Sequence, residues 1–207
     1  AANSGDTINV PAGVYTVTTT LVIGKDLILV GALSASTIIQ AAESPGVASH
    51  SVFSIDSGKV VAASYVTIQH GGASGIVNYG ILTLTNSTIR ENSSGGGGGI
   101  VNGGTLTLTN STISNNSGAG YGGGILNWPT GTLTLTNSSI IGNSATYGGG
   151  IANQGGTSNF NNTIIAGNNA NAIGADCFMT LISQGHNLVQ NVMLCTIIGD
   201  LTGNITG

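Results

Sequence analysis

Apolar and polar residues alternate strictly over Thr105-Leu106-Thr107-Leu108-Thr109, and the same alternation returns at 82–85 and 132–136. Period-two alternation predicts strands with Leu84, Leu108 and Leu135 on one face and threonines on the other. Each run follows a glycine-rich stretch and an Ile-x-Asn step: Ile76/Asn78, Ile100/Asn102, Ile125/Asn127 and Ile151/Asn153, spaced 24, 25 and 26 residues. The isoleucines that close the runs, Ile89, Ile113, Ile140 and Ile164, keep nearly the same beat. A repeat of this length with strand chemistry and no helix formers predicts a solenoid of parallel strands joined by turns.

Residues 1–66 carry less regular coils, with short strands expected around Thr7–Val10, Tyr15–Val17, Leu27–Val30 and Ser36–Ile39, each ended by turn residues. The regular repeats occupy 67–169. A cysteine-bearing segment, 170–207, departs from the repeat as a final coil or cap, and the whole reads as one domain. Stacked coils place Thr83, Thr107 and Thr134 in one outward column and Thr85, Thr109 and Thr136 in a second. Asn78, Asn102, Asn127 and Asn153 share one corner, and Asn92, Asn116, Asn143 and Asn168 another. A primary amide donates to one neighbouring coil and accepts from the other, so these columns read as structural ladders. The glycines are expected to supply tight corners with positive φ.

Composition narrows the function classes. The 207 residues include 35 glycines, only three basic and seven acidic residues, and a net charge of −4. No basic footprint for nucleic acid or anionic membrane exists, and the most apolar stretch, 21–33, is too short and interrupted to span a bilayer. The first residues lack the basic and apolar regions of a secretion signal, so the chain reads as mature, trimmed or cytosolic. Cys177 and Cys195 lack a zinc-type pattern. They read as a disulfide, or alternatively as two buried thiols of a cytosolic protein. Sparse charge together with a cysteine pair favours an extracellular or cell-surface location.

The Gly-Gly-Gly-Ile-x-Asn and Thr-Leu-Thr-Leu-Thr-Asn-Ser-Thr-Ile repeats resemble those of bacterial right-handed parallel β-helix surface proteins, including the polymorphic outer-membrane-protein repeats. The opening Ser4-Gly5-Asp6-Thr7-Ile8-Asn9-Val10-Pro11-Ala12-Gly13 and the ending Ser183-Gln184-Gly185-His186-Asn187-Leu188 are similar to secreted proteins with an N-terminal CSLREA motif and a C-terminal sorting anchor. Neither that motif nor an anchor is in the sequence, which reads as the β-helical core of a longer protein. The expected fold is all-β: a single-stranded right-handed parallel β-helix of about seven coils of 24–26 residues. The resemblance implies secretion and surface display and transfers no catalytic residue.

Candidate chemistry is sparse. Aligning coils on their closing isoleucines sets His70 beside Glu91 on the next coil, with Arg90 adjacent, an acid and a histidine able in principle to exchange protons. A solvated ion pair at a turn is the plainer reading. Tyr121, Trp128 and Tyr147 come from neighbouring coils and are candidates to stack on sugar rings. The threonine columns are candidates to order water and bind ice. No metal site or cofactor is expected, and Gly95–Gly99 lacks the residues of a phosphate loop or a calcium nonapeptide. The regular repeat without clustered chemistry favours a non-enzymatic stalk, adhesin-like module or filament subunit, stacking end to end with itself or continuing into a parent chain. A glycan-binding protein, polysaccharide lyase or hydrolase is the alternative, and an ice-binding protein a further one.

Overall fold

The structure, a computed structural model describing residues 2–207, is a right-handed parallel β-solenoid of about eight turns, with no helix among the described residues. One coil shows the plan. Ile81–Thr85 lies on a first face (A), Thr88–Arg90 on a second (B), Ser93–Ser94 forms a short extra strand, and Ile100–Asn102 lies on a third face (C). Thr105–Thr109 then pairs in parallel beside Ile81–Thr85. Face A runs from Asp6–Val10 to Cys195–Asp200, face B from Gly13–Thr16 to Ile205–Thr206, and face C from Leu21–Ile23 to Cys177. The cysteine-bearing segment keeps winding: Cys177–Gln184 passes from face C to face A and so begins a further turn.

Inward residues stack like on like because equivalent positions pair between coils. Leu84, Leu108 and Leu135 form one buried column, continued by Phe160. From face C, Phe53, Ile76, Ile100, Ile125, Ile151 and Cys177 form another. Each fully buried Leu or Ile contributes about 1.5–3 kcal/mol relative to exposure. Face B corrects one expectation: Ile140 pairs with Ile165, not Ile164. Ile165 is buried and Ile164 points outward, since a one-residue shift in a strand exchanges its faces. Asn168 lies three residues past Ile165, the same interval that separates Ile89 from Asn92, so its place in the ladder fixes this register.

The two asparagine ladders are directional. At the face C corner the Nδ2 of Asn78 donates to Oδ1 of Asn102 at 2.8 Å, Asn102 to Asn127 at 2.8 Å, and Asn127 to Asn153 at 3.0 Å. After face B, Asn92 donates to Asn116, Asn116 to Asn143 and Asn143 to Asn168, at 2.9, 2.9 and 3.0 Å. Amide to amide, both ladders thus donate toward the C-terminal end, while the amides after face B also give an N–H back to the Ile68, Ile89, Ile113 and Ile140 carbonyls of the preceding coil. The face C ladder ends on the Thr180 carbonyl, and the face B ladder ends on a group that only accepts. Asp176 is that group: its Oδ1 accepts from the Asn168 backbone and side chain, and its Oδ2 from the Asn191 backbone. A third column joins faces A and B, with the buried Ser87, Ser111 and Ser138 accepting from backbone N–H groups of the preceding coil. Among the described residues, Gln69 Oε1 alone is a buried side-chain polar atom without a partner. The ladders therefore satisfy nearly all the polar atoms that the coils bury.

The glycine clusters serve close approach more than backbone freedom. A Cβ on Gly99 would lie 2.5 Å from the Gly124 carbonyl oxygen, and one on Gly124 would lie 2.7 Å from that of Gly150. Left-handed backbone at the A–B corner is taken instead by Asn86, Asn110, Asn137 and Asn162, with φ between 46° and 51°. Asparagine tolerates this region better than other side chains. The Cys177–Cys195 disulfide ties the last inward position of face C to the terminal face A strand across 18 residues.

Replacing Asp176 with Asn tests the ladder's polarity. Whichever way the new amide turns, an N–H meets an N–H from Asn168 or Asn191. The variant is expected to lose about 1–3 kcal/mol in urea unfolding, the cost of an unsatisfied buried polar group. A change within about 0.5 kcal/mol, as is usual at surface positions, would contradict the terminal role.

Candidate functional site

The His70 cluster assembles but is closed. Arg90 pairs in register with Gln69, and this brings His70 Nε2 to 3.1 Å from Glu91 Oε2 while Arg90 reaches Glu91 Oε1 at 3.2 Å. His70 is buried, and its Nδ1 faces the Ala42 carbonyl at 2.9 Å. A carbonyl and a carboxylate both accept, so both ring nitrogens are occupied in tying three coils together. Proton transfer to a substrate needs a free nitrogen within reach of it.

The threonine columns stand where the alternation places them. Thr83, Thr107 and Thr134 share a register, as do Thr85, Thr109 and Thr136, and all are half-exposed. Asn159 and Asn161 follow in the next coil, and Ala62 and Ser64 precede. The threonine array is therefore three rungs deep.

The aromatic side chains gather on the outside of face C. Val101, Leu126 and Ala152 point outward there, yet they are buried beneath Tyr121, Trp128 and Phe178 in a second apolar cluster separate from the main core. The glycine turn packs on this floor, since a Cβ on Gly97 would lie 2.7 Å from Leu126 Cβ. Tyr121 and Tyr147, one coil apart, stack at 4.8 Å between centroids with planes 20° apart, and Phe178 approaches them at 6.2 and 5.8 Å. On the other margin Tyr79 and Trp128 meet at 5.9 Å. Gly103 lies between these two rings, and a Cβ there would be 3.1 Å from Trp128 and 3.4 Å from Tyr79. From Asn92 to Ala175 the sequence has no Lys, Arg, Asp, Glu or His, so much of this surface carries no ionic group. Tyr79 and Phe178, which complete the strip, had no sequence signal beyond being aromatic. The outward column on face C places Phe178 beside Ala152.

His186 was visible only as part of a terminal motif. It occupies the left-handed A–B corner with φ 58°, is exposed, and has no hydrogen bond to its ring among the described residues. His50 and His70 both use ring nitrogens on protein acceptors. Near it, the backbone N–H and side chain of Thr202 hold the exposed Asp200 carboxyl below the usual aspartate value; His186 adds a smaller pull in the same direction, against a small opposing effect of burial. No cluster of three or more metal-ligating side chains occurs among the described residues.

The chain matches no family model and no curated protein sequence. Its fold is that of solved pectin methylesterases. The enzyme PemA from Erwinia chrysanthemi superposes with a TM-score of 0.58 at 12% identity, covering 95% of this chain and 73% of that one. One from Aspergillus niger gives 0.62 at 15%, covering 100% and 76%. A pectin methylesterase in complex with a hexasaccharide gives 0.60 at 13%, covering 95% and 73%. At these identities the likeness shows the fold. It also corrects the expectation of a non-catalytic stalk, adhesin-like module or filament subunit, because these solved neighbours, the pectin methylesterases, are enzymes. A regular repeat accounts for the inward columns and leaves the outer faces free to carry chemistry.

Two measurements follow from this geometry. His70→Ala leaves the Ala42 carbonyl without its donor and is expected to cost about 1–3 kcal/mol of stability. Ligand binding by the folded variant should be unchanged; full stability with lost binding would contradict the structural role. For Asp200, the lowered folded-state pKa means that its contribution to the C-terminal turn is complete above the ordinary aspartate range. It is lost as pH falls through the lowered value. Carboxyl NMR should place the Asp200 midpoint below that of free aspartate, and a midpoint at or above it would contradict the Thr202 contact.

Proposed function

We propose that this protein is a carbohydrate-acting β-helix that binds a neutral glycan along the outside of face C. The observation that carries this reading is the aromatic strip of Tyr79, Tyr121, Trp128, Tyr147 and Phe178 over an apolar floor. Pyranose rings present C–H faces that pack on aromatic rings, and their hydroxyls remain hydrated at the margins. The uncharged stretch from Asn92 to Ala175 supplies neither attraction nor repulsion for an ionic polymer, which favours a neutral one. The shared fold with pectin methylesterases, one of them bound to a hexasaccharide, supports a polysaccharide as the ligand class. The disulfide supports an extracellular site of action, in keeping with the resemblance of the repeats to secreted β-helix proteins.

Trp128 is the only tryptophan, so its fluorescence reports directly on the strip. Titration with neutral oligosaccharides, cellohexaose and xylohexaose among them, is expected to give saturable changes. Tyr121→Ala and Tyr147→Ala should each weaken binding about tenfold, equivalent to about 1.4 kcal/mol. Unchanged affinity in both variants, or stronger binding of polygalacturonate than of every neutral chain, would overturn the reading.

A further inference from the structure

A recess of mixed polar and apolar lining lies on the exterior at the C-terminal end of the A–B corner, apart from the aromatic residues of the strip. It has a volume of about 380 Å³ and is bounded on one side by Asn137, Asn162 and His186 and on the other by Ile164, Leu188 and Ile205. The three polar residues occupy the same left-handed corner of successive coils, with φ of 51°, 46° and 58°. Coil spacing therefore sets them about 4.8 Å apart along the axis. Asn162 Nδ2 donates to Asn137 Oδ1 at 2.8 Å, so the two amides are held in one orientation. That bond leaves the Asn162 carbonyl oxygen and the Asn137 amide N–H groups turned to solvent. Beside them the His186 ring lies against Gly203, where a Cβ would come within 2.8 Å of Cδ2. Ile164 and Ile205 show their side chains to solvent on the opposite wall.

We infer that this recess is a second saccharide site, taking one or two neutral pyranose units, in which His186 contacts the sugar directly. A pyranose is a disc with hydroxyls at its edge and C–H groups on its faces. The recess offers the matching pair of surfaces: planar amides and an imidazole for the edge, and branched aliphatic side chains for a face. Its volume lies within the range of small-ligand sites. The terminal Ser183-Gln184-Gly185-His186-Asn187-Leu188 segment thereby gains a role. Asn187 and Ser183 are turned inward and hydrogen-bonded to each other at 3.0 Å, and this anchoring leaves His186 to project at the corner. The inference rests on the carbohydrate reading for its ligand class but not for its location.

Imidazole NMR of the whole protein separates the two. In wild type and in Trp128→Ala, the His186 Cε1–H resonance is expected to shift saturably with cellotriose or xylotriose, while those of His50 and His70 stay fixed. Asn162→Ala, at an exposed position, should weaken that response at least tenfold and leave the Trp128 fluorescence response of otherwise wild-type protein intact. A fixed His186 resonance alongside a responsive Trp128 overturns the second site and leaves the strip standing. Loss of the His186 shift in folded Trp128→Ala also overturns it, because one site would then account for both signals. A response confined to trigalacturonate overturns the neutral ligand class, and silence from both probes removes both sites.

Discussion

A primary amide in a column of amides has one free choice, the direction in which it donates, and once that is set every coil inherits it. From amide to amide, the asparagines after faces B and C all donate toward the C-terminal end, and the structure depends on this. The chain has few charges and many buried turns, so backbone and side-chain polar atoms at its corners have no water to bond. Each unsatisfied group would cost about 1–3 kcal/mol, and several columns of them would exceed the net stability of a domain this size. The ladders remove that cost coil by coil. They also require an end: the Thr180 carbonyl closes the face C ladder, and Asp176 closes the face B ladder as a pure acceptor where the regular repeat stops.

Much of this architecture was legible because stacking makes sequence periodic. The leucine columns, both asparagine ladders and the threonine rungs could be read from spacing, and the His70–Glu91 contact from coil alignment. What could not be read depends on detail within a coil. Two consecutive isoleucines at 164 and 165 leave the inward one undecided by hydrophobicity, and Asn168 settles it. The glycines looked like turn formers, whereas Gly99 and Gly124 are excluded from bearing a side chain by the coil beside them. Asp176 lies outside the repeat and breaks its residue type, so nothing periodic marked it as the ladder's last member. The serines at 87, 111 and 138 sit in Asn-Ser-Thr and Asn-Ser-Ser runs, whose polarity gives no sign that the middle hydroxyl is buried.

The candidate site was less legible for a related reason. Ligands meet the outer surface, where stacking imposes few constraints, and the relevant side chains come from different places in the coil. Tyr121 and Tyr147 rise from the glycine turns, Tyr79 and Trp128 follow the ladder asparagines, and Phe178 belongs to the outward column of face C. Sequence reasoning singled out the histidine with an acid beside it as a candidate, with a solvated ion pair as the plainer reading. In the folded chain that pairing is what closes His70 to a substrate, and His186, with no partner for its ring, is the accessible imidazole.

The molecule divides into an interior whose polar groups are committed to ladders and an aromatic exterior free to bind. A crystal structure determined with cellohexaose present tests that division most directly. It should show sugar rings lying over Trp128 and the Tyr121–Tyr147 pair on the outside of face C, with the asparagine ladders unchanged. Ordered saccharide bound through Asn78, Asn102 or the other ladder amides, or only around His70 and Glu91, would contradict it.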